Sequence, residues 1–228
     1  MEGCQLYAQA AERAQQDERT ISMDELTGVQ ALERKHPDLP MFPGHVLRRE
    51  FEYIRHGTLS WYINLDVATG QIIEPSWGPT RGEQDCLAHL KRLIESAPEV
   101  KRWHVMMDNL DTHRSEALVR WIAELESRKR WASKARKAFC VRWPAAPRSC
   151  TIPRIGRCFI TRAIHASWMN QVEIWLSILV RKLLKRSNFP SLDDLRDQIL
   201  AFIDYYNRTM AKPIKWTYTG LSPDSGVI

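Results

Sequence analysis

The 228-residue sequence has no run of 18 or more apolar residues, and its start, Met-Glu-Gly-Cys-Gln, lacks the basic patch and apolar stretch of a signal peptide. The sequence therefore predicts neither a membrane span nor an exported protein, and we expect a cytoplasmic one. Its five cysteines form no Cys-x-x-Cys pair and no Cys/His cluster. This absence argues against a disulfide framework and against a zinc site. Internal repeats are also absent.

Acidic residues are missing from one long stretch, residues 128–164. That segment holds eleven Lys and Arg and no Asp or Glu, whereas the whole chain has 33 basic and 27 acidic residues and a net charge of +6. The remaining residues therefore carry 22 basic against 27 acidic side chains. A positive net charge suggests a polyanionic partner, but here the whole basic excess comes from this segment.

Apolar periodicity outlines a mixed set of helices and strands. Strict alternation between Leu59 and Val67 is typical of a half-buried strand, and a short glycine-containing turn leads from it into a second strand over residues 71–74. Shorter strands are predicted at residues 20–24 and 103–107. Helical spacing predicts helices over residues 3–16, 82–96, 115–126, 167–186 and, behind a capping residue, 191–206. This order suits a mixed sheet covered by helices.

Three acidic residues stand where these predicted strands end or where a helix begins: Asp24, Asp108 and Glu173. Each alone is most simply a solvated residue, and Glu173 equally fits the exposed face of an amphipathic helix. If the fold brings them together, their mutual repulsion calls for a divalent cation between them. On the helix, Asn170, Glu173 and Ser177 make a narrow polar stripe beside the apolar one.

The residues around these acids carry more information than their positions. Five blocks matter, in this order: Asp-Glu-Leu-Thr-Gly-Val-Gln-Ala-Leu-Glu-Arg from Asp24, Glu-Phe-Glu-Tyr-Ile-Arg-His-Gly-Thr from Glu50, Asp-Asn-Leu-Asp-Thr-His from Asp108, His-Ala-Ser-Trp-Met-Asn-Gln-Val-Glu from His165, and Trp-Thr-Tyr-Thr-Gly from Trp216. With them the chain, from about Tyr7 to Gly220, resembles the DDE transposases of the mariner-like superfamily, in the branch carried by bacterial insertion sequences.

The resemblance implies an α/β fold, a ribonuclease-H-like mixed sheet flanked by helices. It implies that Asp24, Asp108 and Glu173 are catalytic residues and ligands of two Mg²⁺ or Mn²⁺ ions. It also implies two DNA partners, the terminal inverted repeats of a transposon and the target DNA. The expected location is the bacterial cytosol, in association with the nucleoid, and a homodimer is one possible assembly. We divide the chain into an N-terminal helix (residues 1–20), a catalytic domain (21–220, with the atypical basic segment 128–164) and a tail (221–228).

Several neighbouring side chains compete for these roles. Glu25 lies beside Asp24 and Asp111 close to Asp108, and we prefer the first acid of each block because it matches the catalytic position of the family. For His113 we consider a contact with phosphate or a carboxylate and, equally, a structural hydrogen bond. For His56 we expect a structural role. Four cations that follow Glu173 suit DNA phosphates as well as they suit the negative end of a helix: Arg181, Lys182, Lys185 and Arg186.

The chain departs from the family in two places. Residues 128–164 lack the strand expected before His165, so they are either a basic DNA-binding insertion, with Trp131 and Trp143 among its cations, or a stretch translated out of frame. We favour the second, which predicts a missing edge strand and allows that the protein is an inactive remnant or a noncatalytic DNA-binding protein. Fewer than 25 residues precede Asp24, so we expect a fragment without the helix-turn-helix modules of such transposases.

Overall fold

The structure is a computed structural model that describes residues 2–108, 117–118, 120–121, 158–162 and 170–217. Its elements, in chain order, are α1 (Glu2–Ala8), α2 (Ala10–Ala14), β1 (Glu18–Arg34), β2 (Tyr53–Asp66), β3 (Ile72–Gly78), α3 (Glu83–Glu95), β4 (Arg102–Met107), β5 (Cys158–Arg162), α4 (Val172–Leu179) and α5 (Leu192–Thr209). Residues 117–118 and 120–121 are helical. No helix among the described residues is long and apolar enough to cross a membrane.

The five strands form one mixed sheet in the order β3-β2-β1-β4-β5. The strands β1, β2 and β3 pair antiparallel, as the alternation and the short turn predict. On the other side of β1, β4 and then β5 are added in parallel. The expected α/β architecture, a mixed sheet flanked by helices, is confirmed.

The sheet is covered on both faces by apolar side chains. On one face α3 packs through Leu90 and Leu93 against residues such as Ile21 and Val105. On the opposite face α4 and α5 contribute Trp175 and Ile199 to a second cluster, and α1 and α2 lie over the β1–β4 side of this face through Tyr7 and Ala10. Residues that alternate along a strand point to opposite faces, so each strand serves both cores.

The first strand is much longer than predicted. It runs from Glu18 to Arg34 instead of over residues 20–24, so Asp24 lies inside a strand and not at its end. Alternation fails as a guide because the pairing with β2 shifts register between Leu26 and Val29, around Gly28 with its positive φ of 66°. A bulge of this kind inserts an extra residue and interrupts the period of two.

Beyond the bulge, β1 and β2 continue as a two-stranded ribbon. The connection between them, residues 35–52, folds back through isolated bridges that join Leu39 with Arg48 and Phe42 with His45. Several large apolar side chains are exposed on this connection: Leu39, Met41, Phe42, Val46, Leu47 and Phe51.

The expectation of a missing edge strand is wrong. Residues 158–162 form β5, which pairs in parallel with β4 from Trp103–Cys158 to Met107–Arg162. The strand is too short to show a clear alternation in the sequence. It forms by pairing with β4, about 55 residues earlier in the chain, and not from a local sequence pattern. The rest of the basic segment, with Trp131 and Trp143, lies outside the described residues.

Helix ends also differ from the expected ones. The predicted N-terminal helix over residues 3–16 is two short helices that break at Gln9. The predicted helix over 167–186 is described from Val172; it passes at Val180–Leu184 into a π-helical turn, in which the Lys185 amide bonds the Val180 carbonyl at 3.0 Å. Both α3 and α5 agree closely with prediction, and the Ser191 hydroxyl caps α5 by accepting the Asp194 amide at 3.0 Å.

Candidate active site

Asp24 lies at the point of β1 where the pairing with β4 has just ended while the pairing with β2 continues. Its carboxylate is half-buried. One oxygen, Oδ1, accepts the Glu25 amide at 2.7 Å, and the other, Oδ2, accepts the side-chain amide of Asn170 at 3.1 Å. Two donors from different parts of the chain therefore orient the carboxylate.

Asp108 follows the last residue of β4 and is half-buried. Partners in the parallel pair of β1 and β4 differ by 84 in residue number, from Glu18–Arg102 to Ser22–Met106. Asp24 and Asp108 differ by the same number, so a register continued by two residues would set them side by side. Neighbouring strands lie about 4.8 Å apart, a spacing at which two such carboxylates could share cations.

The side-chain alternation places both acids on the same face of the sheet. Met106 belongs to the same apolar cluster as Tyr7 on the α1 face, and Asp108 is two residues further along. Ser22, two residues before Asp24, bonds Tyr7 and the start of α4 on that face as well. Alternation therefore directs Asp24 and Asp108 toward the face that carries α1 and α4.

Glu25, the competitor of Asp24, points the other way. It pairs across β1 and β2 with Tyr62, which packs in the cluster under α3. Burial, and next the nearby Glu25 carboxylate, raise the pKa of the Tyr62 hydroxyl. Glu25 thus belongs to the α3 face, and geometry favours Asp24 as the member of the pair that lies beside Asp108.

Glu173 lies in the first turn of α4, and its side chain is exposed. The amide of Glu173 bonds the carbonyl of Asn170 at 3.1 Å, and the Asn170 side chain bonds Asp24. Glu173 is therefore three residues, a single hydrogen-bonded turn, from the residue that contacts Asp24. The helix α4 approaches the sheet at Asp24 and carries Glu173 to the same face.

The predicted polar stripe of α4 is only partly right. Glu173 and Ser177 are exposed, but Asn170 precedes the helix and is 1% exposed. A buried amide must be hydrogen-bonded to be tolerated, and this one bonds Ser22, the Met23 carbonyl and Asp24. Asn170 is thus a part of the site interior and not of a solvated stripe.

Sequence reasoning missed two further residues of this region, Ser22 and Tyr7. Ser22 is fully buried and accepts both the Tyr7 hydroxyl at 3.3 Å and the Val172 amide at 3.1 Å. The sequence offered one local indication of Ser22, a polar residue between the apolar Ile21 and Met23. Both faces of the strand are covered at this point, so the serine is buried too. Burial raises the pKa of Tyr7 to about 12, so its hydroxyl remains a donor at neutral pH.

Other candidate residues fall into two groups. Asp111 and His113 lie outside the described residues. His56 bonds Glu33 across the ribbon at 2.7 Å. Glu33 lies on β1 beyond the bulge, away from Asp24, so this bond agrees with a structural role for His56.

The four cations after Glu173 are exposed. Arg181 and Lys182 lie within the π-helical turn, and Lys185 and Arg186 follow it. Arg181 folds back toward Glu173, since its guanidinium donates to the carbonyl and to the hydroxyl of Ser177 at 3.1 and 3.3 Å. Glu173, Ser177 and Arg181 follow one another at four-residue spacing along one exposed side of the helix.

The donor chemistry of the site fits a hard divalent cation. Asp24, Asp108 and Glu173 offer only carboxylate oxygens, the ligands that Mg²⁺ and Mn²⁺ prefer. Among the described residues, no three His, Cys, Asp or Glu side chains gather closely enough to hold a metal ion. The structure therefore places Asp24 on β1, Asp108 directly after the neighbouring strand β4 and Glu173 on the helix over the same face, without closing the three into a ligand cage.

Solved structures with a similar fold are complexes of the Mos1 mariner transposase. The Mos1 mariner paired end complex with Mn matches with a TM-score of 0.52 at 14% identity, over 90% of this chain and 56% of that one. A pre-cleavage Mos1 transpososome matches with a TM-score of 0.49 at 12% identity, over 91% and 56%. The chain thus spans little more than half the length of these proteins, and at such identity the likeness concerns the fold, which is ribonuclease-H-like as expected.

A comparison with curated protein sequences gave no match. The sequence profile of the DDE superfamily endonucleases matches residues 19–147, which is more than half of the chain and includes Asp24 and Asp108. This chain belongs to the DDE superfamily endonucleases.

Proposed function

We propose that this chain is the catalytic domain of a DNA transposase that cuts phosphodiester bonds at the ends of an insertion sequence and joins them to target DNA. The observation that carries the proposal is the parallel pairing of β1 with β4, which extends to Ser22 and Met106, two residues before Asp24 and Asp108. Family membership supplies the chemistry, and a continued register would set the two carboxylates side by side, with Glu173 approaching from α4.

In this proposal Asp24, Asp108 and Glu173 hold two Mg²⁺ or Mn²⁺ ions. Such a pair, roughly 3.5–4 Å apart, would supply an activated attacking oxygen and stabilisation of the leaving oxygen. Asp24 and Asp108 would contribute ligands from rigid strands, and Glu173 from the first turn of a helix. Manganese in the fold-related Mos1 paired end complex supports divalent-metal use.

The DNA contacts are proposed for the exposed cations that follow Glu173, namely Arg181, Lys182, Lys185 and Arg186. Phosphate contacts of this kind provide most of the affinity of proteins for DNA without reading its sequence. The Ser177 bonds hold Arg181 along the side of α4 that carries Glu173. A phosphate bound there would lie close to the carboxylates.

A cleavage assay tests the proposal. Duplexes that carry the inverted repeats flanking the gene, with supercoiled plasmid as target, are incubated with the protein in Mg²⁺, Mn²⁺ or EDTA. We expect nicking and joining only with a divalent ion, and their loss in Asp24→Asn. Glu33→Gln is the matched control, because Glu33 is a carboxylate of the same strand that bonds His56 instead.

DNA binding without metal-dependent nicking would contradict the proposal and favour the alternative, a noncatalytic DNA-binding protein or inactive remnant. Equal nicking by wild type and Asp24→Asn would instead remove Asp24 from the site.

A further inference from the structure

A buried chain of hydrogen bonds joins the N-terminal helix to Asp24. It runs from the Tyr7 hydroxyl to the Ser22 hydroxyl, from there to the Asn170 side chain, and from Asn170 to the Asp24 carboxylate. Tyr7, Ser22 and Asn170 are 4%, 0% and 1% exposed. We call these three residues the Asn170 network.

We propose that Asn170 is a positioning residue that sets the orientation of the Asp24 carboxylate for metal binding, and that Ser22 and Tyr7 determine which way the Asn170 amide faces. The inference rests on the proposed function, in which Asp24 is a metal ligand.

The number of available protons fixes the amide orientation. The Ser22 oxygen accepts from the Tyr7 hydroxyl and from the Val172 amide, so the single proton of Ser22 is the one given to Asn170 Oδ1. A hydroxyl offers one donor and two acceptor positions, and all three are used. With Oδ1 held by Ser22, the Nδ2 group of Asn170 must face Met23 and Asp24.

The Nδ2 group then uses both of its protons. One goes to the Met23 carbonyl and one to Asp24 Oδ2, each at 3.1 Å. A reversed amide would place Oδ1 against the Asp24 carboxylate and leave the Met23 carbonyl without this donor. One donor to each oxygen, the Glu25 amide to Oδ1 and the Asn170 amide to Oδ2, orients the Asp24 carboxylate.

Asn170 also connects Asp24 with Glu173. Its side chain bonds Asp24, and its carbonyl accepts the amide of Glu173 at the start of α4. One residue thereby relates the carboxylate on the strand to the carboxylate on the helix. Hydrogen-bond partners that orient metal ligands typically matter about 10- to 100-fold for metal affinity or activity.

Mn²⁺ binding measured by isothermal titration calorimetry on the full chain tests the inference. We expect Asn170→Ala to weaken Mn²⁺ binding by about 10- to 100-fold, and Ser22→Ala to weaken it less, because Asn170 keeps its donor group but loses its anchor. The Mn²⁺ concentration for half-maximal plasmid nicking should rise in parallel, while affinity for the plasmid stays unchanged.

Asn207→Ala is the matched control. The Asn207 side-chain amide also bonds the main chain: it accepts the Ile72 amide at 2.8 Å and donates to the Ile72 carbonyl at 2.7 Å, on β3, which β2 separates from the strand of Asp24. It should lower the melting temperature and leave Mn²⁺ affinity unchanged, which separates positioning from a general loss of stability.

Wild-type Mn²⁺ affinity in Asn170→Ala and Ser22→Ala would overturn this inference alone. If Asn170→Ala does not fold, Ser22→Ala decides, since it keeps the Asn170 side chain and removes the hydroxyl that holds its oxygen. No Mn²⁺ binding by the wild type would overturn the proposed function and the inference with it.

Discussion

Ser22 pairs with Met106 on the neighbouring parallel strands β1 and β4, and Asp24 and Asp108 each follow two residues later. Parallel pairing brings residues from distant parts of a chain to one edge of a sheet. Continued by two residues, this pairing would bring together the first and second acids of the family's motif, on the face that α4 also covers.

Asp108→Asn should abolish metal binding and strand cleavage while the fold persists. Asparagine keeps the size of the side chain but removes the negative charge that binds the cation. We therefore expect Mn²⁺ affinity to fall by more than about 100-fold, which exceeds the effect of losing a residue that only hydrogen-bonds a metal ligand. Mn²⁺ titration calorimetry measures the first effect, and circular dichroism checks the second. Undiminished Mn²⁺ affinity in Asp108→Asn would exclude this residue as a ligand.

The position of two strands could be predicted from local pattern. Alternation between Leu59 and Val67 locates the second part of β2, and the turn ending at Gly70 leads into β3 as expected. The expected half-burial is wrong, because both faces of this part of β2 are covered and its polar residues are buried as well. The length of β1 could not be predicted, because the bulge near Gly28 breaks the alternation. β5 depends on pairing with β4, which no local signal reveals.

The candidate site likewise has features that the sequence predicts and features that only the tertiary structure reveals. The family motifs identified Asp24, Asp108 and Glu173 as candidates, but the relation between the first two depends on the order and register of the strands. Ser22 and Asn170 are 148 residues apart in sequence, and Tyr7 and Ser22 are 15 apart. Hydrogen bonds over such separations arise from tertiary structure, so periodicity does not show them.

His89 should make the stability of the fold depend on pH. Burial, reinforced by the charge of Arg92, lowers the pKa of His89 to about 3, below the ordinary value of 6.5. Its ring lies between the Asn64 side-chain oxygen at 3.0 Å and the Ser76 hydroxyl at 2.7 Å. Because the Asn64 amide donates to the carbonyls of Ile73 and Glu74, its oxygen accepts, so Nε2 of His89 carries the proton.

Between about pH 6.5 and 3 the unfolded chain therefore binds a proton at His89 that the folded chain does not. The stabilisation is complete above pH 6.5 and is lost as the pH falls toward 3, with a slope of up to about 1.4 kcal/mol per pH unit. Urea unfolding at pH 7 and pH 5 should show a smaller difference for His89→Gln than for the wild type. An unchanged difference would mean that other groups dominate the acid sensitivity.

Gly70→Ala should destabilise the fold more than Gly44→Ala. Both glycines have positive φ, 75° and 83°, so alanine costs about 1–2 kcal/mol at either position. At Gly70 the new Cβ would also lie 2.0 Å from the Lys212 carbonyl oxygen, whereas nothing lies within 4 Å at Gly44. Overpacking of this kind adds about 1–3 kcal/mol.

Urea unfolding of the two glycine variants measures this difference directly. The larger loss at Gly70 would show that the segment after α5 is docked on the β2–β3 turn. Equal losses in the two variants would contradict the close approach of Lys212.

Binding to DNA should weaken steeply with salt and discriminate little between sequences. Each phosphate neutralised on duplex DNA contributes about −0.9 to the slope of log affinity against log salt. Replacing Arg181, Lys182, Lys185 and Arg186 together by Gln should therefore flatten the slope by about 0.9 for each phosphate that is no longer neutralised. Lys101→Gln is the control, because Lys101 is exposed, pairs with Asp17 at 2.8 Å and precedes β4 at the end away from Asp108.

Competition between inverted-repeat and random duplexes at two salt concentrations measures both quantities. We expect similar affinities for the two duplexes, because phosphate contacts carry no sequence information. A preference for the transposon ends above roughly a thousandfold, the low end for specific DNA-binding proteins, would show that this domain itself recognises sequence. An unchanged slope in the fourfold variant would place the phosphate contacts elsewhere on the chain.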